Sequence, residues 1–197
     1  MRFDLAAAAR GDMRAKLSSL FAILVICGLA IAYDTWHQAE LPPTITEINT
    51  FKMTPNFKFT AQNSKTYDFN HLPKTGIILH FWASWCVPCQ VELPELLKQI
   101  QNAHGELALV AVSIDNSHEA MQKFIDQLPY RNNTHIYWIW DQNKDISLKT
   151  FNTANVPESI LINSQHQMVQ KIVGDPGWNS PDIVKQLNEL AMENNQR

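Results

Sequence analysis

Cys86 and Cys89 stand two residues apart in the stretch IILHFWASWCVPCQVELPEL, residues 77–96, behind an apolar run and ahead of a helix-like pattern. A pair at this spacing can hold a metal, carry a haem, close a structural disulfide or trade electrons with other thiols. Structural zinc normally takes four ligands, with a second paired set of Cys or His downstream. The chain has three cysteines in all, and His71, His80, His104, His118, His135 and His166 show no paired ligand spacing. Covalent haem attachment requires His directly after the second cysteine, where this chain has Gln90. A passive disulfide over so short a loop would add little chain-entropy stabilisation.

Electron exchange has a mechanism at these positions. A cysteine opening a helix meets unpaired backbone N–H groups and the positive end of the helix dipole. Both favour thiolate over thiol, so Cys86 is the expected nucleophile. It attacks a substrate disulfide and forms a mixed disulfide, and Cys89, one turn on, attacks Cys86 and releases reduced substrate. Pro88 suits that first turn, where its missing N–H is not needed. The same thiolates could also bind Cu(I), so a copper-binding module stands as the alternative.

The elements that must position this pair follow from periodicity. GIILHFW (76–82) and LALVAVSID (107–115) are continuous apolar runs of strand length, suited to central strands covered on both faces. From Pro88 to Ala103, Val91, Leu93, Leu96, Leu97 and Ile100 recur at helical spacing, and Gly105 marks the stop. The run 117–128 reads as a helix capped by Ser117, 135–140 as a strand and 145–151 as a short helix. The runs 159–163 and 168–174 form a hairpin, and 180–194 a closing helix with Ser180 as cap and Pro181 in its first turn. FKFTAQNSKTYDF (57–69) alternates about Asn63-Ser64 and predicts an added N-terminal hairpin. Strands alternating with helices indicate an α/β domain of three layers, α/β/α, around a mixed central sheet.

Upstream, no charge interrupts Leu17 to Tyr33, roughly 25 Å as helix and at the short end for crossing a bilayer. Arg10, Arg14 and Lys16 precede it, which predicts a basic cytoplasmic N-terminus over 1–16 and export of everything after Tyr33. The span 17–33 is expected as a transmembrane signal-anchor, with a signal peptide cleaved after Ala32 as the rival and Met13 as a possible alternative start. Cys27 lies inside this run, so one pair remains for the exported part. Residues 34–44 read as a linker, and HQAELPPTITEINT (37–50) as linker or added edge segment. Hydrophobic residues at 45% and charged residues at 18% allow a real core, and a net charge of −3 without a basic block argues against nucleic acid.

FWASWCVPC resembles the thioredoxin-fold signature, and CVPCQVELPEL is similar to the membrane-tethered thioredoxin-like proteins of the TlpA/DsbE type. The resemblance covers roughly residues 45–195 and implies a thioredoxin-like domain over 45–197. It implies a thiol–disulfide oxidoreductase in the periplasm, held at the bacterial inner membrane by a single span. The implied partners are protein disulfides, apocytochrome c among them, and a transmembrane thiol carrier, with no cofactor and no metal. The family's second landmark is a cis proline beside the dithiol, which NVPESILIN supplies at Pro157. A cis bond there would leave the Val156 backbone free to pair with an extended substrate.

Glu92 matches the family's acidic residue that tunes cysteine protonation, against a reading as a solvated first-turn glutamate. Glu158 matches a position often acidic near the site, against an exposed loop residue. Trp85 is expected to wall the site and Trp82 to pack in the core. His80 departs from the family's Asp or Asn and is either a proton shuttle for Cys89 or a satisfied core histidine. Copper chaperones on this fold space their cysteines by three and add a dedicated histidine, which this chain does not match. The anchored family favours a reductase, with a disulfide-donating oxidase as the alternative, since direction depends on the relative stability of thiolate and disulfide.

Overall fold

The computed structural model describes residues 19–29 and 43–192. The chain divides into two compact units, Met1–Leu41 and Pro42–Arg197. In the first, residues 19–29 form a helix (α1) whose side chains, Leu20, Phe21 and Leu24 among them, are exposed. Among the described residues no helix is long and apolar enough to cross a membrane. The rest of the expected 17–33 span, the 1–16 segment and most of the 34–44 linker lie outside the described residues.

The second unit is built on a six-stranded mixed sheet in the order β1-β8-β7-β4-β5-β6. Its strands are β1 (Thr44–Met53), β4 (Gly76–Trp82), β5 (Leu107–Ser113), β6 (Ile136–Trp140), β7 (Glu158–Ile162) and β8 (Gln167–Val173). β4, β5 and β6 pair in parallel, while β7, β8 and β1 add antiparallel. The stretch from Thr44 is therefore an edge strand, one of the two readings of that segment. Every residue of β4 and β5 is buried, which is why these strands read as unbroken apolar runs.

Alternation along β4 sends Ile78 and Trp82 to one face and Ile77, Leu79 and Phe81 to the other. The first face packs against α2 (Val87–Asn102), α3 (His118–Ile125) and α4 (Pro181–Met192), through Leu93, Leu97, Met121 and Leu187 among others. The second packs against the hairpin β2 (Lys58–Thr60) and β3 (Thr66–Asp68), a 3-10 turn at Phe69–His71 and a π-helical turn at Asp145–Thr150. Phe57, Phe59, Phe69 and Phe151 form an aromatic cluster there. The expected Ser117 cap is in place, its hydroxyl accepting the Ala120 N–H at 3.3 Å. This sheet holds the C-terminal ends of β4 and β5 side by side, where open α/β sheets place their sites.

Candidate active site

At the end of β4 the chain makes a tight turn before α2 begins. The Cys86 N–H donates to the Ala83 carbonyl at 3.2 Å, and Ile114 N–H holds the Trp82 carbonyl at 2.9 Å. Cys86 is the N-cap of α2, in extended geometry, and its sulfur accepts the Cys89 N–H at 3.3 Å. An orphan N–H of the first turn therefore points at this sulfur, as the sequence predicts. Pro88 sits in that first turn, where no N–H is missed. Cys86 and Cys89 are disulfide-bonded, with Cα atoms 5.2 Å apart. The two are unequal: Cys86 keeps a sliver of exposure and Cys89 has none.

Around Cys86 the surface is apolar. Trp85, Val87 and Val91 are exposed beside it, so Trp85 rims the site, while Trp82 is buried in the core. The Val156–Pro157 bond is cis. The Val156 carbonyl oxygen lies 3.7 Å from the Cys86 sulfur and has no other polar partner among the described residues. Two surface cavities, of about 500 and about 280 Å³, are lined by other residues. The dithiol thus opens on an apolar surface beside a free stretch of backbone, which suits a macromolecular substrate.

Two supports were not foreseen. The buried Asp115 carboxylate, just past β5, accepts the Ser84 N–H at 3.0 Å, the Ser84 hydroxyl at 2.7 Å and the Ser113 hydroxyl at 2.7 Å, while the Asp115 N–H donates back to the Ser113 hydroxyl oxygen at 3.0 Å. Ser84 lies two residues before Cys86, so Asp115 fixes the turn that presents the nucleophile. Polar Ser113 and Asp115 closing an apolar strand beside the dithiol strand were the signal that could have revealed it. The second support is Trp178, fully buried between β8 and α4, whose indole donates to Glu92 Oε2 at 3.0 Å.

Glu92 is wholly buried, so the reading as a solvated helix-end glutamate is corrected. It lies one turn beyond Cys89 on the same buried side of α2. Burial pushes its carboxyl up to about 9, reinforced by Asp175 and Glu95, against the lowering influence of the Trp178 hydrogen bond. His80 Nε2 faces Glu92 Oε1 at 3.5 Å, and His80 Nδ1 shares a 2.8 Å hydrogen bond with Ser159 Oγ. Burial pulls His80 down to about 3. At neutral pH the pair is therefore a carboxylic acid beside a neutral imidazole.

For Glu158 the alternative reading as an exposed loop residue is corrected. It opens β7, buried, with Lys171 Nζ 2.9 Å from Oε1 and the Thr153 hydroxyl donating to the same oxygen. It ties together the loop that carries Val156 and Pro157. Among the described residues no group of three or more His, Cys, Asp or Glu is arranged to hold a metal ion.

Comparison with known proteins agrees with this geometry. A family model described as thioredoxin-like matches residues 74–168. The sporulation thiol-disulfide oxidoreductase A of Bacillus subtilis is 30% identical over 126 residues, covering 62% of this chain and 71% of that protein. The chain belongs to the thioredoxin-like thiol-disulfide oxidoreductases. Thiol-disulfide oxidoreductase ResA of Bacillus cereus is 26% identical over 155 residues, covering 78% of this chain and 84% of that protein. The fold matches the solved thioredoxin domain of a Bacteroides vulgatus thiol-disulfide oxidoreductase with a TM-score of 0.59 at 18% identity, over 73% of this chain and 99% of that one. StoA from B. subtilis matches with a TM-score of 0.53 at 22% identity, over 69% and 96%. The chemistry of this oxidoreductase is thiol–disulfide exchange on protein disulfides.

Proposed function

We propose that this oxidoreductase is a periplasmic reductase of protein disulfides, held at a bacterial inner membrane through residues 17–33, in which Cys86 attacks and Cys89 resolves. The observation that carries the assignment is the asymmetry of the pair. Cys86 caps the helix, receives the Cys89 N–H and faces the open Val156 backbone, while Cys89 is sealed beneath it. The Cys86 thiolate attacks one sulfur of the substrate disulfide, and the other substrate sulfur leaves and takes a proton. Cys89 then loses its proton and attacks the Cys86 sulfur, expelling the second substrate thiolate. The substrate gains two electrons and the enzyme is left as the disulfide.

The reducing direction is supported by electrostatics. A strong oxidant stabilises its reduced thiolate form, whereas the described polar contacts of the Cys86 sulfur are one N–H and one carbonyl, with no cation. Glu92 adds no positive charge beneath the pair. Export is supported by the uncharged run 17–33 behind Arg10, Arg14 and Lys16. The resemblance to tethered TlpA/DsbE-type proteins supports apocytochrome c as a substrate and a transmembrane thiol carrier as the electron source. Equilibrating the full chain in detergent with glutathione and dithiothreitol couples tests the direction. A potential near that of thioredoxin, roughly −270 mV, supports the reductase, and one near roughly −120 mV makes the protein a disulfide donor.

A further inference from the structure

Cys89 has no contact with water, so the proton that it must lose in the resolving step needs a route out. Glu92, one turn along α2, is equally sealed and cannot discharge a proton to solvent itself. We propose that Asp175 is the water-facing end of a two-carboxyl relay, through which the Cys89 proton leaves by way of Glu92. The inference rests on Cys89 acting as the resolving thiol.

The loop between β8 and α4 builds this arrangement. Trp178 is buried and its indole holds Glu92 Oε2 at 3.0 Å, which pins the loop against α2. Gly177 N–H donates to Asp175 Oδ1 at 2.8 Å and fixes that carboxyl group. Asp175 is only half-buried and stands three residues before Trp178 on the loop that the indole pins to Glu92, and its carboxyl helps to push the Glu92 pKa up. Glu92 therefore lies one helical turn from a sealed thiol and against the loop that carries a water-accessible carboxyl.

The remaining groups around Glu92 do not compete for this role. His80, from β4, presents Nε2 at 3.5 Å but is sealed from water, with its other nitrogen engaged by Ser159 of β7. Glu95, further along α2, adds only repulsion. No Lys or Arg pairs with Glu92 among the described residues. A protonated carboxyl relays without itself changing charge: one oxygen takes the proton from Cys89 while the other hands its own to Asp175. Cys89 becomes the thiolate, Glu92 stays neutral and Asp175 passes the proton to solvent, with no net oxidation or reduction in the transfer.

Ellman's reagent reads the two halves of the reaction separately. Mixed with the reduced full chain carrying Cys27→Ser, which removes the one cysteine outside the pair, it gives one thiolate release on Cys86 attack and a second when Cys89 resolves. At pH values below the Glu92 transition near 9, Asp175→Ala should slow the second release by on the order of 10²-fold, the low end of general acid–base contributions. The first release should be unchanged, formate should restore the second, and Asp175→Glu should retain it. The isosteric Asp175→Asn variant guards against misfolding and should behave as Asp175→Ala without rescue by formate. Wild-type second release in Asp175→Asn overturns the relay, as does a slowed release that neither formate nor Asp175→Glu restores. A second release that survives in Cys89→Ala marks the failure of the resolving-thiol assignment instead.

Discussion

Glu92 and Glu158 are both buried beside the dithiol region, and their surroundings are opposite. Glu158 has Lys171 at 2.9 Å and the Thr153 hydroxyl, so its charge is compensated where the chain must hold the Val156–Pro157 loop. Glu92 has an indole N–H, a neutral imidazole and two further carboxyl groups, and no cation among the described residues. A buried carboxylate without a cation protonates rather than remain charged. The contrast separates a glutamate that holds structure from one that holds a proton, and burial alone would not have told them apart.

The sharpest way to break this contrast is to remove the cation. Lys171→Met leaves Glu158 buried without its partner and should cost about 3 kcal/mol, the lower end for a broken buried pair because the lysine reaches water. Urea unfolding of the full chain measures it, and a loss near zero would remove the distinction between the two glutamates. Trp178→Phe keeps an aromatic ring but deletes the donor to Glu92 and leaves part of the indole volume empty, and should cost about 2–3 kcal/mol. Since that hydrogen bond lowers the Glu92 pKa, the Glu92 transition should also move further up, which an infrared titration of the carboxyl band detects.

Glu92→Gln should change stability least, by less than about 1 kcal/mol at mildly acidic pH, because a neutral amide replaces a neutral acid. Its effect lies in the pH profile. Folding raises Glu92 from 4.5 to about 9, so its contribution is full below 4.5 and is lost as pH rises toward 9. Folding lowers His80 from 6.5 to about 3, so its contribution is full above 6.5 and is lost as pH falls toward 3. The two slopes cancel between 4.5 and 6.5, which makes that window the plateau set by this pair. Glu92→Gln should abolish the alkaline fall and leave the acidic one. An unchanged alkaline limb in thermal unfolding would mean that Glu92 does not hold its proton in the folded state.

Much of the fold was legible because local signals agreed. The unbroken apolar runs of β4 and β5, the helical spacing of Leu93, Leu96, Leu97 and Ile100, and the turn at Asn63-Ser64 each point to one element. The dithiol and Pro157 were legible as motifs at defined offsets. The partners of the acids were not, because they come from distant segments: Trp178 lies 86 residues from Glu92, and Lys171 reaches Glu158 from the next strand. Sequence spacing on α2 fixed which side Glu92 shares with Cys89, but only the packing of the β8–α4 loop decides whether that side is wet. The edge strand at Thr44–Met53 was ambiguous for a related reason, since pairing with β8 and not its own composition makes it a strand.

The most direct test of the exchange mechanism is to trap it. Full-length Cys89→Ser and Cys86→Ser proteins, each also carrying Cys27→Ser to remove the other free thiol, would be incubated with a disulfide-containing peptide and their intact masses measured. The asymmetry of the pair predicts a stable mixed disulfide on Cys86 in the Cys89→Ser protein, and an unmodified Cys89 in the Cys86→Ser protein. Adduct forming at Cys89 as readily as at Cys86 would contradict the assignment of attacking and resolving thiols.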